Sequence, residues 1–416
     1  MTRVERADPA TAGDRDSDAS RLRALALLAF ALVLSMSTWF SASAVLPQLR
    51  SEWALSDSAA AWMTIAVQLG FVFGAVTSAL FNVSDVVRAQ RVILFGALGA
   101  ALANGLLIFA QGPEVALPLR FATGVALAQV YPPALKVMST WFRKRRGTAL
   151  GILVGALTVG SALPHLVNGL GGLDWHFVVL VTSALTLIGG AIAGLGVPDG
   201  PFPFPRAVFD PRQARRALAN RGVLLATLGY FGHMWELYAM WAWFVIFFAA
   251  ALETRGTIAG PEAAYATFAV IGIGGFGCWV GGILGDRWGR TRTTVLMMSV
   301  SGLCALTIGL AFTDPTWVVL LIGLVWGFTV VGDSAQFSTI VTELADQAYV
   351  GTALTLQLAL GFIFTVATIW LIPILEAEVG WRWAFAFLAP GPLLGIAAML
   401  RLRASPEAAR IAGGRG

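Results

Sequence analysis

Six ionisable side chains stand inside long apolar stretches of this sequence: Arg120, Lys136, His165, His233, Glu236 and Asp333. A charge taken out of water costs several kcal/mol unless it is paired or neutralised, so each of the six needs a chemical reason. His233 and Glu236 stand three residues apart, which puts them on one helical face. Burial penalises the charged form of either group, so this pair is a candidate site for taking up and releasing a proton near neutral pH. An internal pair that only fixes helix packing is the plainer alternative, and a His-x-x-Glu metal site would need further ligands. Arg120 offers a planar fork that grips carboxylates and similar oxyanions, which makes it a candidate anchor for an anionic solute. Alternatively it pairs internally with Glu236 or Asp333, or snorkels to a membrane surface. Lys136, beyond Pro132 and Pro133, is expected to snorkel, and His165, after Pro164, to be packed and hydrogen-bonded. Asp333, between Gly332 and Ser334, is a candidate cavity acid or helix-kink partner. Gln129 and the polar run Ser35, Ser37, Thr38, Ser41 and Ser43 around Trp39 add neutral candidates for solute contact. Trp39, Trp235, Tyr238, Trp241 and Trp243 are candidates either to line a cavity or to anchor helices at the membrane interface.

The elements that must position these residues follow from composition. Hydrophobic types make up 57% of the 416 residues and charged types only 12%. A soluble domain carries roughly 25% charged residues, so this chain cannot cover a water-facing exterior and must face lipid. A soluble enzyme, a nucleic-acid binder and a disordered scaffold are thereby excluded. The net charge of +5 does not revive nucleic-acid binding, because the cations sit in short clusters between apolar runs. Cys278 and Cys304 both lie within apolar runs and form no disulfide framework. A bilayer crossing takes about 20 apolar helical residues. About twelve such runs are present, near residues 24–46, 58–81, 92–111, 115–137, 148–170, 175–197, 222–250, 264–285, 293–312, 316–342, 351–375 and 382–400. Only helices satisfy the backbone at these lengths in lipid, so the expected fold class is an all-α polytopic membrane protein. Arginines collect on alternate connections, at 21–23, 88–91, 143–146, 206–221 and 287–292 and after residue 400, which places both termini in the cytoplasm. The one turn on that side without a cation, Glu343 to Tyr349, is expected to be held by packing.

The chain also repeats itself. Gly147-Thr148-Ala149-Leu150 opens the fifth run and Gly351-Thr352-Ala353-Leu354 the eleventh. Trp175 and Trp381, Asp85 and Asp286, and Gly124 and Gly327 recur in the same order at nearly the same offset. The expected organisation is a disordered cytoplasmic N-terminus over 1–23 and an N-terminal six-helix bundle over 24–197. A cytoplasmic linker over 198–221, a C-terminal six-helix bundle over 222–400 and a cytoplasmic tail over 401–416 complete it.

The sharpest motif is Gly282-Ile-Leu-Gly-Asp286-Arg287-Trp-Gly289-Arg290-Thr-Arg292, in the turn after the eighth run. It resembles the loop signature of the major facilitator superfamily. Arg120-Phe-Ala-Thr-Gly124 is similar to a second signature of that family, and Gly151, Gly155, Gly160 and Pro164 form a looser third. The resemblance implies two six-helix bundles that rock about a central site lined by the first, fourth, seventh and tenth spans. Five of the six intramembrane ionisable residues lie in three of those spans. It further implies gating by Asp286, which would sit at the start of the fifth span near Gly147, an interaction worth about 0.3–2 kcal/mol. Gly282, Arg287, Gly289 and Arg290 shape that turn, and Asp85 would play the same part in a first-half copy that lacks the glycines. The implied function is secondary active transport of a small solute by alternating access, with protons as coupling ion and symport of a small organic or inorganic anion. Proton-coupled drug or metabolite efflux is the alternative, followed by a membrane-embedded metalloenzyme or a non-transporting sensor. The expected protein is a monomer in the plasma membrane, not an enzyme, with no cofactor, no metal and no nucleic-acid partner. No Gly-x-x-x-x-Gly-Lys-Ser/Thr loop for ATP occurs in the sequence.

Overall fold

The computed structural model describes residues 9–81, 83–142, 146–202, 210–257, 260–346 and 349–416, and the backbone alone for residues 9–17, 84, 85, 146 and 211. Among these residues the regular elements are all helical. Lipid offers no partners for backbone N–H and C=O groups, so apolar runs of this length close their hydrogen bonds internally. Ten helical stretches are long and apolar enough to cross a bilayer: Asp18–Thr38, Asp57–Leu80, Ala89–Phe109, Gly147–Leu170, Trp175–Gly196, Arg221–Glu253, Pro261–Trp288, Thr316–Leu344, Val350–Val379 and Trp381–Arg403. They are spans one to three, five to eight and ten to twelve of the twelve expected. Span four is present as two helices, Pro113–Leu127 and Tyr131–Ser139. Pro132 and Pro133 have no N–H with which to continue the ladder, so the helix breaks just before them. Span nine is Arg290–Thr307, whose first turn is polar.

The first helix starts at Pro9, so described residues of the expected disordered terminus are helical. Asp18 pairs with Arg21 at 3.1 Å, one turn away, a spacing that supports a helix. Residues 203–209 of the expected linker lie outside the described residues; beyond them Ala214–Ala219 is a short helix. After Arg403 the chain turns back through Pro406–Arg410, and Ile411 is buried.

Span two packs on span four, span three on span six and span one on span six. In the second half, span eight packs on ten, nine on twelve and seven on twelve, which is the same arrangement repeated. Close backbone approach marks the equivalent crossings. Gly124 meets Val67 between spans two and four, and Gly327 meets Val270 between spans eight and ten; a Cβ fits at neither. The two halves meet along two seams, span five on span eight and span two on span eleven.

Candidate functional site

Span one leaves the α-helix at a 3₁₀ turn, Met36–Thr38, and resumes only at Ser41–Ala44. The break frees backbone carbonyls, and Arg120 takes them. Its Nη1 donates to Thr38 O at 3.0 Å, to Ser41 Oγ at 3.1 Å and to Asn104 Oδ1 at 3.2 Å. Nε donates to Met63 O at 3.3 Å, and Nη2 donates to Trp39 O. The fully buried guanidinium thus caps the negative end of a broken helix and joins spans one to four. It pairs with neither Glu236 nor Asp333 and does not snorkel, and its acceptors are all neutral.

In the second half, His233 and Glu236 turn apart. His233 Nδ1 lies 2.9 Å from Asp333 Oδ1, both side chains 1% exposed. Glu236 instead accepts from Trp326 Nε1 at 2.6 Å and from Ser301 Oγ at 2.9 Å. No cation is paired with it among the described residues.

Between the halves lies a cluster of rings. Trp39 and Phe71 are 4.7 Å apart, Phe71 and Phe362 4.8 Å, Tyr238 and Phe362 5.1 Å, and Phe40 and Trp241 5.7 Å. Several buried polar atoms among the described residues have no partner: the indole nitrogens of Trp39 and Trp241 in this cluster, both amide atoms of Gln68, the amide nitrogen of Gln357, Ser161 Oγ and both ring nitrogens of His165. His165 is therefore packed but not hydrogen-bonded, contrary to expectation. Gln129, at the break in span four, donates to Gly74 O at 3.1 Å. Trp235 and Trp243 instead donate to backbone carbonyls, Phe387 O at 3.3 Å and Ile369 O at 2.9 Å. Gln68, Gln357 and Ser161 escaped the sequence reading because they are uncharged. An amide inside an apolar run was the signal that would have found the first two.

The arginine-rich face is shut across the span-five seam. Asp286 Oδ2 accepts from Thr148 N at 3.2 Å and from Thr148 Oγ1 at 2.9 Å. Gly282 lies against Gly147 and Thr148, where a Cβ would come within 3.2 Å of the backbone. Arg290 Nη1 is 3.5 Å from Asp286 and donates to Gln336 at 3.0 Å, while its other nitrogens grip Glu343 at 2.8–3.1 Å. Glu343 also accepts from Ala412 N at 3.1 Å, so the turn expected to rely on packing is held by charge. Gly289 turns the chain at a φ of 102°. Arg287 is exposed and makes no ion pair among the described residues. The side chain of Asp85 lies outside the described residues. On the opposite face, Gly169 of span five packs directly on the ring of Tyr265 in span eight. Arg50 pairs there with Asp57; burial lowers its pKa, against the pull of Glu376 at the end of span eleven. Among the described residues no three His, Cys, Asp or Glu side chains converge as a metal site.

The architecture is thus two repeated helical bundles in a chain of membrane-spanning helices, each burying charged side chains of its own, with a polar latch across their seam. The Major Facilitator Superfamily model matches residues 28–366, and the chain belongs to that family. A transporter of Aspergillus flavus, asaE, is 26% identical over 281 residues, covering 64% of this chain and 59% of that one. The gallate transporter of Pseudomonas putida is 24% identical over 319 residues, covering 66% and 68%. Across the first relatives the chain spans between 28% and 59% of their length. A bacterial homologue of the human lysosomal transporter Spinster, solved in an inward-facing, unoccupied conformation, shares the fold. Its TM-score is 0.64 at 14% identity, with 92% of this chain and 96% of that one covered.

Proposed function

We propose that the protein is a proton-coupled symporter of a small organic anion, working as a monomer in the cytoplasmic membrane with both termini inside. One observation carries this reading: Glu236 is buried, held only by the neutral donors Ser301 and Trp326, with no counter-ion in the described structure. A carboxylate in that setting has a charge that depends on solvent access, so opening and closing of the bundles couples to proton uptake and release. His233 and Asp333 are the second proton-carrying pair. Arg120 keeps an unneutralised positive charge in the first half; it acts on an anionic solute through its field, because its fork is already filled. Trp39, Gln129, His233 and Asp333 bound the path of the solute, and Asp286, Arg290, Gly282 and Gly289 close its cytoplasmic end. Arg287 and Asp85 belong to the same two turns. The gallate transporter among the relatives moves a molecule of the proposed class.

The test is flux into liposomes driven by an imposed pH gradient. Glu236→Gln is expected to abolish the gradient dependence of organic-anion uptake while leaving the protein folded. Unchanged gradient dependence in that variant removes Glu236 from coupling.

A further inference from the structure

Five ring contacts cross from one half to the other: Trp39 to Tyr238 and to Phe362, Phe40 to Tyr238 and to Trp241, and Phe71 to Phe362, with centroids 4.8–6.0 Å apart. These six rings are at most 4% exposed. Alternating access requires the halves to part, and parting breaks ring contacts that cross the seam. Something must cover the ring faces that opening bares.

The polar atoms at the cluster show that it is more than a packed core. Five other indole nitrogens, of Trp141, Trp175, Trp235, Trp243 and Trp326, each have an acceptor. Those of Trp39 and Trp241, both members of the cluster, are buried without one. Gln68, one helical turn from Phe71, has neither amide atom paired. A buried polar atom without a partner costs about 1–3 kcal/mol, and a pure packing role gives no reason to keep three such side chains together. These three unpaired side chains, Trp39, Trp241 and Gln68, are all uncharged. The cation of the first half spends its three nitrogens on Thr38, Trp39, Ser41, Met63 and Asn104.

Resting on the transporter reading, we infer that the solute is a planar aromatic molecule bearing hydroxyl or carbonyl oxygens. Its ring takes the place of the cross-seam stacks, and its oxygens accept from the Trp39 and Trp241 indoles and the Gln68 amide. Stacked rings gain from their quadrupoles beyond buried area, which a saturated ring of the same size does not reproduce. No carboxylate, aliphatic or aromatic, finds a free guanidinium fork here, so discrimination rests on the ring.

The experiment is isothermal titration of the full-length protein in nanodiscs with 3,4-dihydroxybenzoate and with its saturated analogue, 3,4-dihydroxycyclohexanecarboxylate. The aromatic acid is expected to bind about tenfold more tightly. Trp39→Phe, which keeps a ring but removes the N–H, should weaken the aromatic acid several-fold. Phe362→Leu should bring the preference below about threefold. Equal affinity for the two acids, tighter binding of the saturated one, or no binding of the aromatic acid overturns the inference. The wild-type comparison decides even if a variant does not fold. Flux in liposomes separates this from the transporter reading. An aromatic acid that binds but never crosses sinks transport and leaves the site, whereas flux of aliphatic solutes alone does the reverse.

Discussion

Each half of the molecule buries a charge of opposite sign, and the two halves hold it differently. In the first half, Arg120 is gripped by acceptors from spans one, two and three. One of these, Asn104, is itself tied to Val179, Thr182 and Ser183 of span six. In the second half, Glu236 has two donors, and His233 has a single contact to Asp333 with its Nε2 unpaired. The first arrangement fixes five helices around one cation; the second leaves acids and an imidazole with room to change partners. The difference suits a rigid half that sets the shape of the site and a titratable half that responds to solvent.

Four substitutions sharpen or break that comparison. Arg120→Met strands a cluster of buried acceptors and should lower stability by about 3–5 kcal/mol, read as thermal unfolding in detergent. Arg120→Lys, which keeps charge but not the fork, should fall between this variant and the wild type. Glu236→Gln should cost about 1 kcal/mol or less in the same measurement, because an amide can still accept from Trp326 and donate to Ser301. Equal losses at Arg120 and Glu236 would erase the distinction between the halves. Asp286→Asn should have the smallest effect, shifting the balance between the two access states by about 0.3–1 kcal/mol through the loss of a charge at the start of span five. Cysteine accessibility at the arginine-rich face reads that shift, and identical labelling counts against the latch.

Much of this was legible in the sequence. The twelve runs emerged from hydropathy, and spans four and nine differ from the rest for reasons visible in Pro132, Pro133 and the polar start at Arg290. The expensive charges were also visible, because a charge in an apolar run stands out without any structure. Their partners were not. Arg120 binds mostly backbone carbonyls, which every residue carries, so no side-chain pattern announces them. His233 and Glu236 share a face, yet a three-residue step still separates them by about 60° around the axis, enough to send one toward span ten and the other between spans nine and ten. Glu343 completes the latch from a turn that held no cation of its own; its partner, Arg290, lies 53 residues away in the chain. The seam between the halves was least legible of all, since Gln68, Trp241 and Phe362 come together only through packing of spans two, seven and eleven.

Proton movement tests the central claim most directly. Vesicles carrying the protein and an internal pH dye should acidify inside when a transported organic anion is added outside, and those carrying Glu236→Gln should not. Solute uptake with no change in internal pH would contradict proton coupling through the second half. Alkalinisation on uptake would show exchange instead of symport.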